Sequence, residues 1–278
     1  MTVRQRVGGA IELTRPVNAV AAGVLTFIGA FVGGGHLTVH AWIAVVATIL
    51  ATGAGNGVND YIDRDIDAVN VPDRPLPRGA ISPRWALWQS GLFMLAAVLL
   101  ALALPVAAIA IAIINLLALI TYTSVFKGLP GVGNAVVAFL VGSTFLFGGA
   151  AVGGIEATGV LFLLATLATL GREIIKDVED VTGDRMEGLH TLPIAVGERW
   201  ALTVAAGCLI AATVASPLPY VLGIFGIWYL VAVAPAILSM LFGVVRSFRD
   251  PGAGQRLIKL GMFVAVVAFV VGRIELLI

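Results

Sequence analysis

A chain of 278 residues that is 59% hydrophobic and only 12% charged, with a mean hydropathy of +1.02, has too few charged side chains to coat a soluble globule. Its net charge of +1 argues against a nucleic-acid partner, and its single cysteine, Cys208, rules out a disulfide framework or a cysteine-based metal centre. The composition is that of a protein embedded in a bilayer.

Met1 to Leu13 is charged and broken by Gly8-Gly9, which predicts a segment lying along the membrane surface rather than a cleavable leader. Apolar stretches of the length needed to span hydrocarbon then follow at 16–35, 41–61, 85–104, 106–124, 132–153, 157–175, 200–217, 219–244 and 258–277. The third and fourth are parted only by Leu104-Pro105, but together they are too long for one span. The expected fold is all-α: a polytopic membrane protein of nine transmembrane helices forming one domain over residues 1–278.

All but one of the seventeen Lys and Arg fall in five zones, at 4–15, 64–84, 127, 172–199 and 246–259. The connections after the first, third, fifth and seventh helices contain none, and those after the second, fourth, sixth and eighth do. Basic residues are retained on the cytoplasmic side, so the N-terminus is predicted inside and the C-terminus outside a cell membrane. The exception, Arg273, stands beside Glu275 near the end of the last helix and can snorkel to the interface.

Two basic zones also hold most of the acid. The second helix closes on Asn59-Asp60-Tyr61-Ile62-Asp63-Arg64-Asp65-Ile66-Asp67, and the sixth on Lys176-Asp177-Val178-Glu179-Asp180-Val181-Thr182-Gly183-Asp184. Each leads into a Gly- and Pro-containing loop, which predicts two four-helix halves related by an axis along the membrane normal, plus a ninth helix. Residues four apart on a helix share a face, so Asn59, Asp63 and Asp67 are expected to line one side of the second helix. Asp180 and Asp184 do the same on the sixth if Gly183 does not end it, with Asp177 one turn earlier. Carboxylates gathered in this way repel unless a cation sits between them, and oxygen-only donors select Mg²⁺ over zinc or copper.

Arg64, Arg172, Lys176 and Arg185 interleave with these acids, and Lys127 follows Tyr122-Thr123-Ser124 on a neighbouring loop. Acid with base suits a metal-bridged polyphosphate. Lys127 reads either as a phosphate ligand or as an inside-positive anchor, and Arg15, in Arg15-Pro16-Val17-Asn18, divides in the same way. His36 and His40 have metal-like spacing but flank a short Gly-rich outer turn, where solvent satisfies them.

The segments from Asn59 to Asp67, from Asn70 to Ser82 through Pro72-Asp73-Arg74-Pro75-Leu76-Pro77-Arg78-Gly79, and from Asp180 to Asp184 with Thr191-Leu192-Pro193 resemble the UbiA superfamily of intramembrane prenyltransferases. The resemblance covers nearly the whole chain, including Arg15-Pro16 and the loop from Tyr122 to Lys127. It implies a helical bundle around a central cavity, a Mg²⁺ cofactor, and transfer of a prenyl group from its diphosphate. Asn59, Asp63, Asp67, Asp177, Asp180 and Asp184 are the candidate metal ligands, and Asp63, Asp67, Asp180 and Asp184 the candidate catalytic carboxylates. Arg64, Tyr122, Lys127 and Lys176 are candidates for the diphosphate, and Arg15, Asn18, Arg74 and Arg172 for the acceptor.

The stretch Arg172-Glu173-Ile174-Ile175-Lys176-Asp177 is most similar to archaeal members that add a geranylgeranyl chain from geranylgeranyl diphosphate to geranylgeranylglyceryl phosphate in ether-lipid synthesis. An aromatic or chlorophyllide-like acceptor is the alternative within the family. A transporter is the alternative outside it, opposed by the position of every acidic cluster at a helix end rather than at the bilayer midplane.

Overall fold

The computed structural model describes residues 3–34, 38–122, 126, 129–186 and 188–278. The described residues are helical, with no strand: α1 (Val3–Leu13), α2 (Pro16–Gly34), α3 (Val39–Ile62), α4 (Arg64–Asn70), α5 (Pro83–Ala101), α6 (Val106–Thr121), α7 (Val132–Ala151), α8 (Ile155–Met186), α9 (Leu192–Val196), α10 (Glu198–Ala215), α11 (Leu218–Val221), α12 (Trp228–Ser247) and α13 (Pro251–Ile274). Among the described residues, eight segments are long and apolar enough to cross a membrane: α2, α3, α5, α7, α8, α10 with α11, α12 and α13. The ninth expected span is α6, which at 16 residues is shorter than the rest. The protein is a multi-pass membrane protein.

Its surface follows the bilayer rule, in which apolar side chains face outward as well as inward. Trp88 and Leu92 on α5, Leu117 on α6, Phe242 on α12 and Val267 on α13 are all exposed. Inside, Phe145 of α7, Phe225 before α12, Tyr229 of α12 and Phe269 of α13 pack ring to ring, with Phe225 and Tyr229 centroids 4.8 Å apart. The Tyr229 hydroxyl is satisfied by donating to the Ser216 carbonyl at 2.6 Å.

Neighbouring helices pack in an order that repeats. In the first half α2 lies on α3, α3 on α5 and α5 on α6; in the second α7 lies on α8, α8 on α10 and α10 on α12. α13 closes the bundle, packing on α12, α8 and α2. The halves meet where α2 crosses α7. At Gly29 and Gly148 the two backbones come so close that a Cβ on either would overlap the carbonyl oxygen opposite.

Four boundaries differ from the sequence expectation. α8 runs 32 residues, straight through Gly183, because its last turns continue as an amphipathic helix bearing the Lys176–Asp180 pair at i,i+4. α3 ends at Ile62 and the chain bends at Asp63, so Asn59, Asp63 and Asp67 do not lie on one straight helix. The eighth span begins at Trp228 rather than near 219, because the short α11 and the turn at Gly223 intervene. α13 begins at Pro251, well before 258, because Asp250 caps it.

The Asp250 side chain accepts from the Ala253 N–H at 2.9 Å, and this bond holds its carboxyl below the usual carboxylate range. A carboxyl with a depressed folded value stabilises the fold above the ordinary range and loses that contribution as pH falls through the folded value. Asp250→Ala is therefore expected to lower the thermal midpoint at neutral pH, with the gap to the unaltered protein closing in strong acid.

The amphipathic α1 is held across the ends of α3 and α5. Leu13 is buried against Leu76, Ile81 and Ala86, the Gln89 amide donates to the Ala10 carbonyl at 2.8 Å, and Arg78 pairs with Glu12 at 2.5 Å.

Candidate active site at the helix ends

The end of α3, the residue after α6 and the acidic stretch of α8 come together in one region. Tyr122, the residue after α6, marks the meeting point. Its half-buried phenol lies within electrostatic reach of Glu173 and Asp177 on α8 and of Asp63 at the end of α3. The two acidic segments, more than a hundred residues apart in sequence, therefore face the same region.

On the α8 side, Asp177 accepts a hydrogen bond from the Asn134 amide of α7 at 2.8 Å and has Glu173, Lys176 and Asp184 as charged neighbours. Asp180 pairs with Lys176 at 3.5 Å; both are about half exposed, so the pair is open to exchange with a ligand. Asp184 neighbours Asp180 and Lys176 in turn. Arg172 donates to Glu173 and, at 3.3 Å, to Gln255 of α13, whose amide reaches Glu179 at 3.2 Å. That chain of contacts fastens α8 to α13.

On the α3 side, Asn59 and Asp63 are partly exposed, and the Asn59 carbonyl accepts the Asp63 N–H at 2.9 Å across the bend. Asp67, beyond the bend, is buried and ion-paired with Arg74 of the following loop. Arg64 turns outward, its guanidinium 5.1 Å above the Tyr61 ring and 3.4 Å from Asp65. Arg15 and Arg74 converge on one buried carboxylate, that of Asp60, at 2.5 and 3.5 Å. Asn18 is exposed on the first turn of α2. Lys127 lies outside the described residues.

Two contributors were missed in the sequence. Asp60 is out of step with the four-residue spacing of Asn59, Asp63 and Asp67. Its signal was its position at the end of an apolar run, where an ionised group requires a partner. Asn134 carried no signal beyond being an amide in an apolar helix.

Among the described residues, no three His, Cys, Asp or Glu side chains close into a ready-made metal cage. The donor chemistry nonetheless fits a hard divalent cation. The groups facing Tyr122 from both sides are oxygen donors, and Mg²⁺ usually takes only one or two carboxylates, filling the rest of its shell with water and substrate phosphate.

The UbiA prenyltransferase family matches residues 20–267. The chain belongs to that family. As a UbiA prenyltransferase it is 62% identical over 272 residues to the digeranylgeranylglyceryl phosphate synthase of Natronomonas pharaonis, covering 97% of this chain and 98% of that one. The synthase of the same name from Haloquadratum walsbyi is 60% identical over 275 residues, covering 98% and 96%. A solved structure of digeranylgeranylglyceryl phosphate synthase, 32% identical, superposes with a TM-score of 0.86 over 97% of this chain and 99% of its own. A UbiA homologue from Archaeoglobus fulgidus, solved bound to GPP and Mg²⁺, shares the prenyltransferase fold with a TM-score of 0.76 at 17% identity over 95% and 98%.

Proposed function

We propose that this prenyltransferase transfers a geranylgeranyl group from geranylgeranyl diphosphate to the free hydroxyl of geranylgeranylglyceryl phosphate. The observation that carries this reading is its identity of 62%, over nearly the full length of both chains, with a synthase named for that product. The convergence of Asp63 and Asp177 on Tyr122 supplies a place for a diphosphate.

Asn59, Asp63, Asp67, Asp177, Asp180 and Asp184 are the groups that would hold Mg²⁺. When bound there, Mg²⁺ neutralises charge developing on the departing diphosphate oxygens. Tyr122 and Lys176, with Lys127, add donors and positive charge for the same oxygens, whereas Arg64, turned onto Tyr61 and Asp65, would have to swing away from them to join. The allylic C–O bond breaks to give a delocalised cation and free diphosphate. The acceptor hydroxyl oxygen then bonds to that carbon, and its proton leaves to a carboxylate on α8 or to the diphosphate. Arg15, Asn18, Arg74 and Arg172 supply cationic and amide groups for an anionic acceptor headgroup.

The distribution of Lys and Arg supports a placement of this site and the N-terminus on the cytoplasmic side. Residues 1–278 act as one domain, in which the apolar chains of both substrates lie between the helices of the bundle.

The test is direct. Purified protein is supplied with geranylgeranyl diphosphate and Mg²⁺, together with either geranylgeranylglyceryl phosphate or a hydroxybenzoate, and the products are weighed by mass spectrometry. The diether phosphate is the expected product. Prenylated hydroxybenzoate in its place would assign the enzyme to the aromatic branch of the family.

A further inference from the structure

Asp60 is the most buried acid of the first motif, its side chain 4% exposed, and it takes no part in facing Tyr122. One residue on from Asn59, it points about 100° away round α3 and into the helix packing. A carboxylate held there is tolerated only if it is paired. It is paired twice. Arg15, at the joint of α1 and α2, reaches it at 2.5 Å from a left-handed backbone with φ 46, and Arg74, from the loop between α4 and α5, reaches it at 3.5 Å. Arg74 also donates to Asp67 on α4. Two cations and two anions thus tie four segments of chain together, and one guanidinium is shared between two carboxylates of different rank. Asp67 lies on the four-residue spacing of the candidate metal ligands, and Asp60, in the same segment, lies off it.

Resting on the functional reading above, we propose that Asp60 is a positioning residue that shares Arg74 with Asp67 and so keeps Asp67 available to a divalent cation. Arg74 and a divalent cation compete for the Asp67 oxygens, since both are cations seeking the same lone pairs. With Asp60 ionised, the guanidinium has a second anionic partner within reach and can yield Asp67 without being left unpaired. With an uncharged amide in place of Asp60, Asp67 is, among the described residues, the only ion-pair partner left to Arg74, and the competition shifts against the metal. Arg15 remains on Asp60 throughout and prevents that buried carboxylate from drawing Arg74 away entirely.

The experiment reads binding rather than turnover. Full-length protein in detergent is titrated with geranylgeranyl diphosphate by calorimetry over a series of Mg²⁺ concentrations, giving the Mg²⁺ level at half-maximal donor affinity. Asp60→Asn is expected to raise that level about tenfold, as loss of a group supporting a metal ligand does. Arg74→Gln is expected to lower it below that of the unaltered protein, and adding Arg74→Gln to Asp60→Asn is expected to reverse the rise. A purely structural role for Asp60 would lower the thermal midpoint without moving the Mg²⁺ requirement. An unchanged requirement in Asp60→Asn, or a rise that Arg74→Gln fails to reverse, would overturn the proposal. If Asp60→Asn fails to fold, Arg74→Gln alone decides, because Asp60 then keeps Arg15, and an unchanged requirement again overturns it. Failure of the unaltered protein to bind the diphosphate at any Mg²⁺ level would bring down the functional reading, and this proposal with it.

Discussion

Asp63→Ala and Asp180→Ala are each expected to cut turnover about a thousandfold, the loss that follows removal of a group stabilising charge in the transition state. Neither change should unfold the protein. Asp180 is exposed and, among the described residues, pairs with the half-exposed Lys176, an interaction worth little to stability. Asp63 stands at a bend between two helices, partly open to solvent, rather than within the packed interior. Steady-state rates should therefore collapse while the thermal midpoint holds. Retention of about a tenth of the activity or more in either variant would remove that residue from the chemistry.

The second large effect is on stability, at the seam between the two halves. Gly148→Val is expected to cost about 3 kcal/mol or more, because the added carbons meet the Thr26 carbonyl and the Ala30 amide nitrogen on α2 and not a side chain that could swing aside. Only a shift of the whole helix relieves that overlap. Such a shift would also disturb Gly29, which lies as close to the Phe145 backbone. Thermal unfolding in detergent, read against the control Gly159→Ala, where no atom lies within 4 Å of an added Cβ, separates this clash from the general effect of replacing a helical glycine. An equal midpoint for the two variants would show that α2 and α7 can move apart at little cost.

Hydropathy located the membrane helices because a bilayer requires long apolar runs and little else produces them. The same signal misplaced their polar ends. α8 outlasts its apolar stretch because Lys176 and Asp180 stay in helical register, and the exposed Gly183 costs only about 1 kcal/mol relative to alanine. α13 starts earlier than its apolar stretch because the Asp250-Pro251 pair is a capping signal that an average over apolar residues does not see.

The acidic segments were legible as a pair and, through the family resemblance, as a site. What spacing could not give was which carboxylates are buried against arginines and which stay near the end of α6. Asp60 and Asp67 are paired with arginines, whereas Asp63 and Asp177 lie within electrostatic reach of Tyr122, Asp177 accepting from the Asn134 amide. Those placements depend on the bend at Asp63 and on loop residues far along the chain. A four-residue repeat, common to buried and open positions alike, contains neither.

The 32 residues of α8 span about 48 Å, against a hydrocarbon thickness of about 30 Å. Its carboxylate-bearing turns consequently extend beyond its apolar stretch, past the length that the acyl region requires. Under the proposed reaction, the two products part company on release. The diether diffuses away within the leaflet, and the inorganic diphosphate is lost to the bulk aqueous phase. Re-encounter of the pair on one enzyme becomes rare, which slows the return reaction.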